Sequence, residues 1–225
     1  MKRRFLLSAV VVLLITSCAS YYPQVVDIPL IKNKGDMRIN AGYFVTPNFK
    51  GACDVGGHAT YTAGVTDVLA LQAYTSVDVM LRWHLQGALG LYKGFENNTV
   101  IEWYGGYGFG TGGYYNIQMD FYNLYFSQFN IGKTNVGKRN IDYGLGLKGG
   151  FVDNDYTEYN NYYINDVVQN NSWVIEPSLF FRFGGKKAKM NITINYMWAD
   201  NIPDVYYFPL SIGMGVNFTV GKKKN

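Results

Sequence analysis

Tyr206-Tyr207-Phe208-Pro209-Leu210-Ser211-Ile212-Gly213-Met214-Gly215-Val216-Asn217-Phe218-Thr219-Val220 alternates without interruption. Tyr206, Phe208, Leu210, Ile212, Met214, Val216, Phe218 and Val220 share one face, and the intervening residues share the other, because side chains on a strand change sides at every residue. One surface is oily, with aromatic residues at both ends, while the opposite surface is small and polar. This pattern suits a strand standing between lipid and water. A soluble lipocalin-like barrel is the rival, since its apolar residues point inward and the period alone does not say which face meets water.

The same alternation recurs upstream. Met190, Ile192, Ile194, Tyr196 and Trp198 oppose Lys189, Asn191, Thr193, Asn195 and Met197. Trp173, Ile175, Leu179, Phe181 and Phe183 oppose Glu176, Ser178 and Arg182, and Ile141, Tyr143, Leu145 and Leu147 oppose Asp142, Gly144, Gly146 and Lys148. Ile101, Trp103, Tyr107 and Phe109 oppose Glu102, Tyr104 and Gly106. The spans read as strands are 36–46, 52–63, 67–77, 85–95, 99–110, 121–131, 139–152, 171–184, 188–199 and 205–220. The fold class is therefore all-β: a closed, up-and-down antiparallel transmembrane β-barrel of about 10 strands, or 8 if the segments near 78–84 or 111–131 pair differently.

The ends of the chain supply an address. Lys2, Arg3 and Arg4, the apolar run Phe5 to Ile15, and Thr16-Ser17 form an export signal too short to span a bilayer. Ile15-Thr16-Ser17-Cys18 resembles a bacterial lipobox, which implies cleavage before Cys18 and diacylglycerol on its thiol. The ordinary alternative is a signal cut nearby without acylation. The expected organisation is a signal peptide at 1–17, a lipid-anchored leader at 18–34, the barrel at 35–220 and a basic tail at 221–225. The leader, broken by Pro23 and Pro29, would tether the acyl group to the first strand, with both chain ends in the periplasm.

Composition excludes several classes. With Cys18 acylated, Cys53 is the one thiol left and no internal disulfide can form. The formal charge of +4 includes three signal-peptide cations, leaving 17 basic against 16 acidic residues. That balance gives no reason to expect nucleic acid. Hydrophobic residues make up 48% of the chain, yet no second run has the length of a membrane helix, as a barrel that shows lipid only every second side chain requires. No Cys/His cluster offers metal ligands, Gly105-Gly106, Gly108, Gly110 and Gly112-Gly113 precede no helix that would make a phosphate cradle, and no cofactor is expected.

Connection lengths set the orientation. Short turns at 64–66, 96–98, 132–138 and 184–187 would face the periplasm, and loops at 46–51, 78–84, 111–120, 153–170 and 200–204 would face outward. Tyr43, Trp173, Trp198 and Tyr206 then fall near the outer rim, with Phe183 and Phe218 near the inner one. Lys133, Lys138, Arg139, Lys186, Lys187 and the tail Lys222-Lys223-Lys224 collect at the inner end, beside anionic head groups.

Three groups of residues are candidates for function. Arg38, Glu102, Asp142, Lys148, Glu176, Arg182 and Lys189 face the expected lumen, either as a salt-bridge network or as the lining of a narrow polar pore. The loop 153–170 carries Asp153, Asp155, Glu158 and Asp166 with four tyrosines and no Lys or Arg, a surface for an extracellular ligand or partner. His84, after Arg82-Trp83 near an outer loop, is the one placed for acyl transfer on lipid, but no Ser or Asp stands at a recognised spacing from it. His58, in a Gly-Gly-His run, is less well placed. No catalysis is expected.

Two stretches carry a family resemblance. Ser17-Cys18-Ala19-Ser20-Tyr21-Tyr22-Pro23, through Val26-Asp27-Ile28-Pro29-Leu30 to Lys34-Gly35-Asp36, resembles the start of outer-membrane barrel lipoproteins of Bacteroidota. The hairpin Tyr61 to Tyr74, with Val65-Thr66-Asp67 at its turn, is similar to hairpins of that group. Ser211, Gly213, Val216 and Phe218 also fit the barrel-assembly signal, although Thr219 to Asn225 follow it. The resemblance implies a lipidated barrel in the bacterial outer membrane, delivered by barrel-assembly and lipoprotein-sorting machinery, with membrane lipid as its surroundings. The group carries no agreed activity.

Overall fold

In the computed structural model, residues 25–47, 53–112, 120–160, 163–200 and 209–221 are described, with the side chains of 112, 120 and 154–170 left aside. Cys18, the signal segment, Tyr206, Phe208 and the lysines of the tail lie outside them. The strands are β1 (Met37–Pro47), β2 (Cys53–Gly64), β3 (Leu69–Asp78), β4 (Trp83–Gly94), β5 (Thr99–Gly112), β6 (Asp120–Val136), β7 (Ile141–Asn160), β8 (Tyr163–Gly184), β9 (Ala188–Tyr196) and β10 (Leu210–Val220). After Met197, the short piece Trp198–Ala199 prolongs β9 against β8.

Each strand pairs antiparallel with its sequence neighbours, and β10 returns to β1, with Met37 opposite Val220 and Val45 opposite Ile212. The sheet is a closed ring. Closure removes the unpaired edges that hydrocarbon could not satisfy.

The faces sort as a membrane barrel demands and not as a lipocalin does. Leu89, Trp103, Leu145, Leu179, Ile194 and Phe218 are exposed on the outside, and Leu89 is 68% accessible. Asn191, Thr193, Asn195 and Ser211 are buried inside. Aromatic residues gather outside toward the end where β4 starts: Trp83 stacks edge-on with Phe109 at 5.6 Å, and Phe151 with Trp173 at 5.2 Å. Tyr43, Trp173, Phe183 and Phe218 are exposed, as a girdle requires, and Trp198 is half-buried.

Two boundaries differ from the sequence reading. Residues 132–138 do not form a long turn. β6 continues to Val136 across an irregularity after Lys133, and the chain reverses at 137–140, where Gly137 and Asn140 adopt the left-handed backbone that tight turns use. Residues 153–170 are not a loop either. β7 and β8 run on as a hairpin with Asp153 opposite Asn171, Asp155 opposite Gln169 and Glu158 opposite Asp166. These strands have 20 and 22 residues, whereas about 9–11 suffice to cross a bilayer, so the hairpin projects well beyond the barrel wall.

The seam between β1 and β10 depends on two small residues. Gly42 faces Gly215, and a Cβ on Gly42 would run into the Met214 carbonyl and the Gly215 Cα. Gly42→Val should therefore destabilise the folded barrel by about 1–3 kcal/mol, measured by urea unfolding in detergent. Gly87→Ala and Gly105→Ala, where an added Cβ meets nothing within 4 Å, should stay within about 0.5 kcal/mol of the parent.

Candidate functional site

The lumen is occupied by the chain's own leader. Val25, Val26, Asp27, Ile28, Leu30 and Ile31 are all buried inside the ring. This strap begins at the short-turn end, where Lys32 Nζ donates to Asn98 Oδ1 at 2.9 Å and the backbone N–H groups of Lys32 and Asn33 donate to Asp36. Ile31 N donates to Glu102 Oε1 at 2.6 Å. Farther along, Arg182 donates to the Ile28 carbonyl at 2.5 Å, Gln128 donates to the Asp27 carbonyl at 2.8 Å, and Asn40 donates to Asp27 Oδ1 at 2.9 Å. Val26 N donates to Asn195 Oδ1 at 3.2 Å. The expected leader is thus a lumenal plug over its described part.

Glycines seat it. An added Cβ would meet Lys32 at Gly94, Ile31 at Gly64, Leu30 at Gly132, Ile28 at Gly146 and Val25 at Gly213. Other inward glycines accommodate rings from neighbouring strands: Gly56 lies under Phe44, Gly90 under Tyr104, Gly108 under His84 and Gly110 under Tyr122. Two glycines of the run in β5, Gly108 and Gly110, thus make room for rings of β4 and β6.

The seven residues predicted to face the lumen are all buried there. Six of them form three ion-paired groups. Asp142 lies between Arg38 at 3.4 Å and Lys189 at 2.5 Å, and also accepts from Asn135 N. Lys148 and Glu176, cross-strand partners on β7 and β8, are 3.3 Å apart, with the ammonium also 4.9 Å from the Phe126 ring centre. Arg182 pairs with Asp27 at 3.4 Å and stacks 4.5 Å over Phe180. Glu102 departs from the expected cross-strand ion pairing: its carboxylate accepts from Ile31 N, Asn130 and Tyr104. The wall set holds four cations and three carboxylates, and the strap supplies the fourth carboxylate as Asp27. An uncompensated buried charge is costly, and Asp27 of the strap balances these seven wall residues.

Sequence reasoning missed that Asp27 and its segment enter the lumen, and that Gln128 and Asn195 bind them there. It also missed a rim group in which Arg82 bridges Asp78 at 2.5 Å and Asp54 at 2.9 Å. The alternation signal reached Asp54 and Asp78, but their residues had been divided between strand and loop.

His84 corrects another expectation. It faces the lumen, not the lipid rim, with Tyr122 Oη 2.7 Å from Nδ1 and Gln86 Oε1 3.2 Å from Nε2, while Trp83 faces outward. It belongs to a row of inward rings carried by β1, β2, β3, β4 and β6, Phe44, His58, Tyr74, His84 and Tyr122, with successive centroids 5.6–6.3 Å apart. On β2 and β3, His58, Thr60, Thr62 and Gln72 turn buried polar atoms inward that find no protein partner among the described residues. The side chains of Asp155, Glu158 and Asp166 lie outside the described set, and Asp153 is half-exposed at the base of the projecting hairpin.

No family model and no curated protein matches the chain. Among solved structures it is similar to the outer membrane protein OprG of Pseudomonas aeruginosa, at 14% identity over 87% of this chain and 100% of that one, with a TM-score of 0.41. It is also similar to Ail, the attachment invasion locus protein of Yersinia pestis, at 10% identity over 83% and 99% of the two chains, with a TM-score of 0.29. Designed transmembrane β-barrels match at 9% identity over 84% and 100%, with a TM-score of 0.35. Likeness at this level adds nothing to the fold already established by the strand pairing.

Because Arg182 binds both the side chain and backbone of the strap, Arg182→Met should cost about 3–5 kcal/mol by leaving Asp27 buried without its cation. Adding Asp27→Ala should recover part of that loss, which a double-mutant cycle of urea unfolding in detergent reads directly. Gly146→Leu, which would push against Ile28, should speed tryptic cleavage after Lys32 and Lys34 while the barrel itself stays resistant.

Proposed function

We propose that this chain is a bacterial outer-membrane β-barrel, lipidated at Cys18, with a structural or surface-interaction role and no catalysis. The observation that supports it is the strap: the bore holds an ordered peptide neutralised against its wall, which argues against free passage of solute. The short-turn end faces the periplasm in this reading, as in outer-membrane barrels generally. Exposed Lys133, Lys138, Arg139, Lys186 and Lys187 at or near that end suit anionic head groups. Export, acylation and insertion would involve lipoprotein-sorting and barrel-assembly machinery.

The surface role would rest on the β7–β8 hairpin. Beyond Asn154 on one side and Trp173 on the other, it has no neighbouring strand among the described residues. An extracellular partner would meet Asp153, Asp155, Glu158 and Asp166 on an extended ribbon.

A second reading, a narrow pore or transporter for small solutes, is favoured by the inward polar atoms of His58, Thr60, Thr62 and Gln72. A lipid-modifying enzyme is a weaker reading, because His84 is 1% exposed and faces away from lipid.

Planar-bilayer recording separates these readings. The purified full chain should be electrically silent, and a variant lacking residues 25–31 but retaining heat-modifiable migration should conduct. Steady conductance from the intact chain would overturn the sealed-barrel reading in favour of the pore.

A further inference from the structure

The outer wall of β6 to β9 carries a run of adjoining apolar hollows. Ser178 pairs with Asn195 and Ile175 with Trp198, so Pro177 stands opposite Tyr196 in the two-residue gap between those pairings. Proline offers no N–H to the ladder and only a short ring to the outside. The hollow beside it, about 490 Å³, is bounded by Phe129, Leu147, Leu179 and Ile194. A second hollow of about 400 Å³ shares Ile131, Leu145 and Leu179 with the first and reaches Lys133 and Tyr143. A third, of about 570 Å³, lies beside Phe181, the cross-strand partner of Tyr143, and is lined by Ile141, Phe183 and Arg139. Each has the volume of a small-molecule site.

Charge is confined to one end of this groove. Among the described residues, no carboxylate lines any of the three hollows. Lys133 and Arg139 are exposed at the short-turn end, and neither forms an ion pair among the described residues. From Ile141 to Leu147 the paired backbone of β7 makes six steps, about 20 Å along the strand. With a strand tilt of about 40°, that is roughly 15 Å of depth, half the hydrocarbon thickness and so one leaflet. From the orientation given under Proposed function, on which this inference rests, we propose that the wall of β6 to β9 binds one anionic diacyl phospholipid of the periplasmic leaflet. Its head group lies on Lys133 and Arg139, and its acyl chains follow the hollows toward Pro177. A second copy of the barrel is the poorer occupant, because a two-fold contact through this face sets the same cations of both copies at one depth. Each cation near the surface strengthens the hold on an anionic head group about fivefold.

Native mass spectrometry of the full chain in detergent, offered equimolar dioleoylphosphatidylglycerol and dioleoylphosphatidylcholine, tests this. The folded chain should retain one phosphatidylglycerol in preference to phosphatidylcholine, and Lys133→Gln and Arg139→Gln should each cut that preference about fivefold. Lys93→Gln, which removes an exposed cation at the same end but outside the groove, should leave it unchanged. Leu145→Trp, which enlarges a side chain shared by two hollows, should lower retention of both lipids. Equal retention of the two lipids by the parent, a preference that survives Lys133→Gln with Arg139→Gln, or one that Lys93→Gln reduces as much, overturns the inference. So does a dimer of the parent that Leu145→Trp dissociates. A parent without heat-modifiable migration overturns the membrane reading itself, whereas a heat-modifiable parent without the preference overturns this site alone.

Discussion

A sheet that crosses hydrocarbon must satisfy every backbone N–H and C=O within itself, because no water is available at its edges. Here that constraint is met by one seam, in which nine residue pairs join β1 to β10 from Met37–Val220 to Val45–Ile212. Everything else follows from closing the ring. Once it is closed, each strand has an outside, which must be apolar, and an inside, which must be filled without stranding charge. The outside is met by Leu, Ile, Val and aromatic residues at every second position, while the inside requires a solution particular to this chain.

That solution is the strap. Five glycines on five different strands leave the volume it occupies, and Arg182 uses three donors on Asp27 and the carbonyls of Ile28 and Pro29. Burial of Val25, Val26, Ile28, Leu30 and Ile31 contributes roughly 1.5–3 kcal/mol each relative to water. The strap also provides Glu102 with a backbone N–H in place of a cation. Filling of the bore and balancing of its charge are thus one structural event, and a sealed lumen shifts the expected work of the protein to its surface.

Much of this was legible in the residues. The period-two pattern placed Arg38, Glu102, Asp142, Lys148, Glu176, Arg182 and Lys189 on the correct face, because in a barrel alternation and burial are the same variable. It failed where alternation carries no information. The leader Val25-Val26-Asp27-Ile28-Pro29-Leu30-Ile31 has no period, since it packs on all sides, and two prolines made it read as a tether. The inward glycines Gly64, Gly132, Gly146 and Gly213 were the available signal: an inward position without a side chain, repeated on several strands, implies another body lying on it. The hairpin of β7 and β8 was missed because Asp, Asn and Tyr between 153 and 170 suggest solvent, which does not forbid backbone pairing.

The strap and the seam are coupled by chain topology. The strap's hydrogen bonds to β6, β8 and β9 join residues 101 to 169 positions apart, from Gln128 with Asp27 to Val26 with Asn195, and the seam joins Met37 to Val220. Neither set can form until the later strands exist, and both pay the entropy of closing nearly the same loop. Docking Val25–Ile31 on the walls of β5 to β9 brings Met37 to the open edge that β10 must meet. Closing the seam in turn confines the strap to the bore. The two steps therefore favour each other, and a substitution that loosens one should weaken the other even where the residues do not touch.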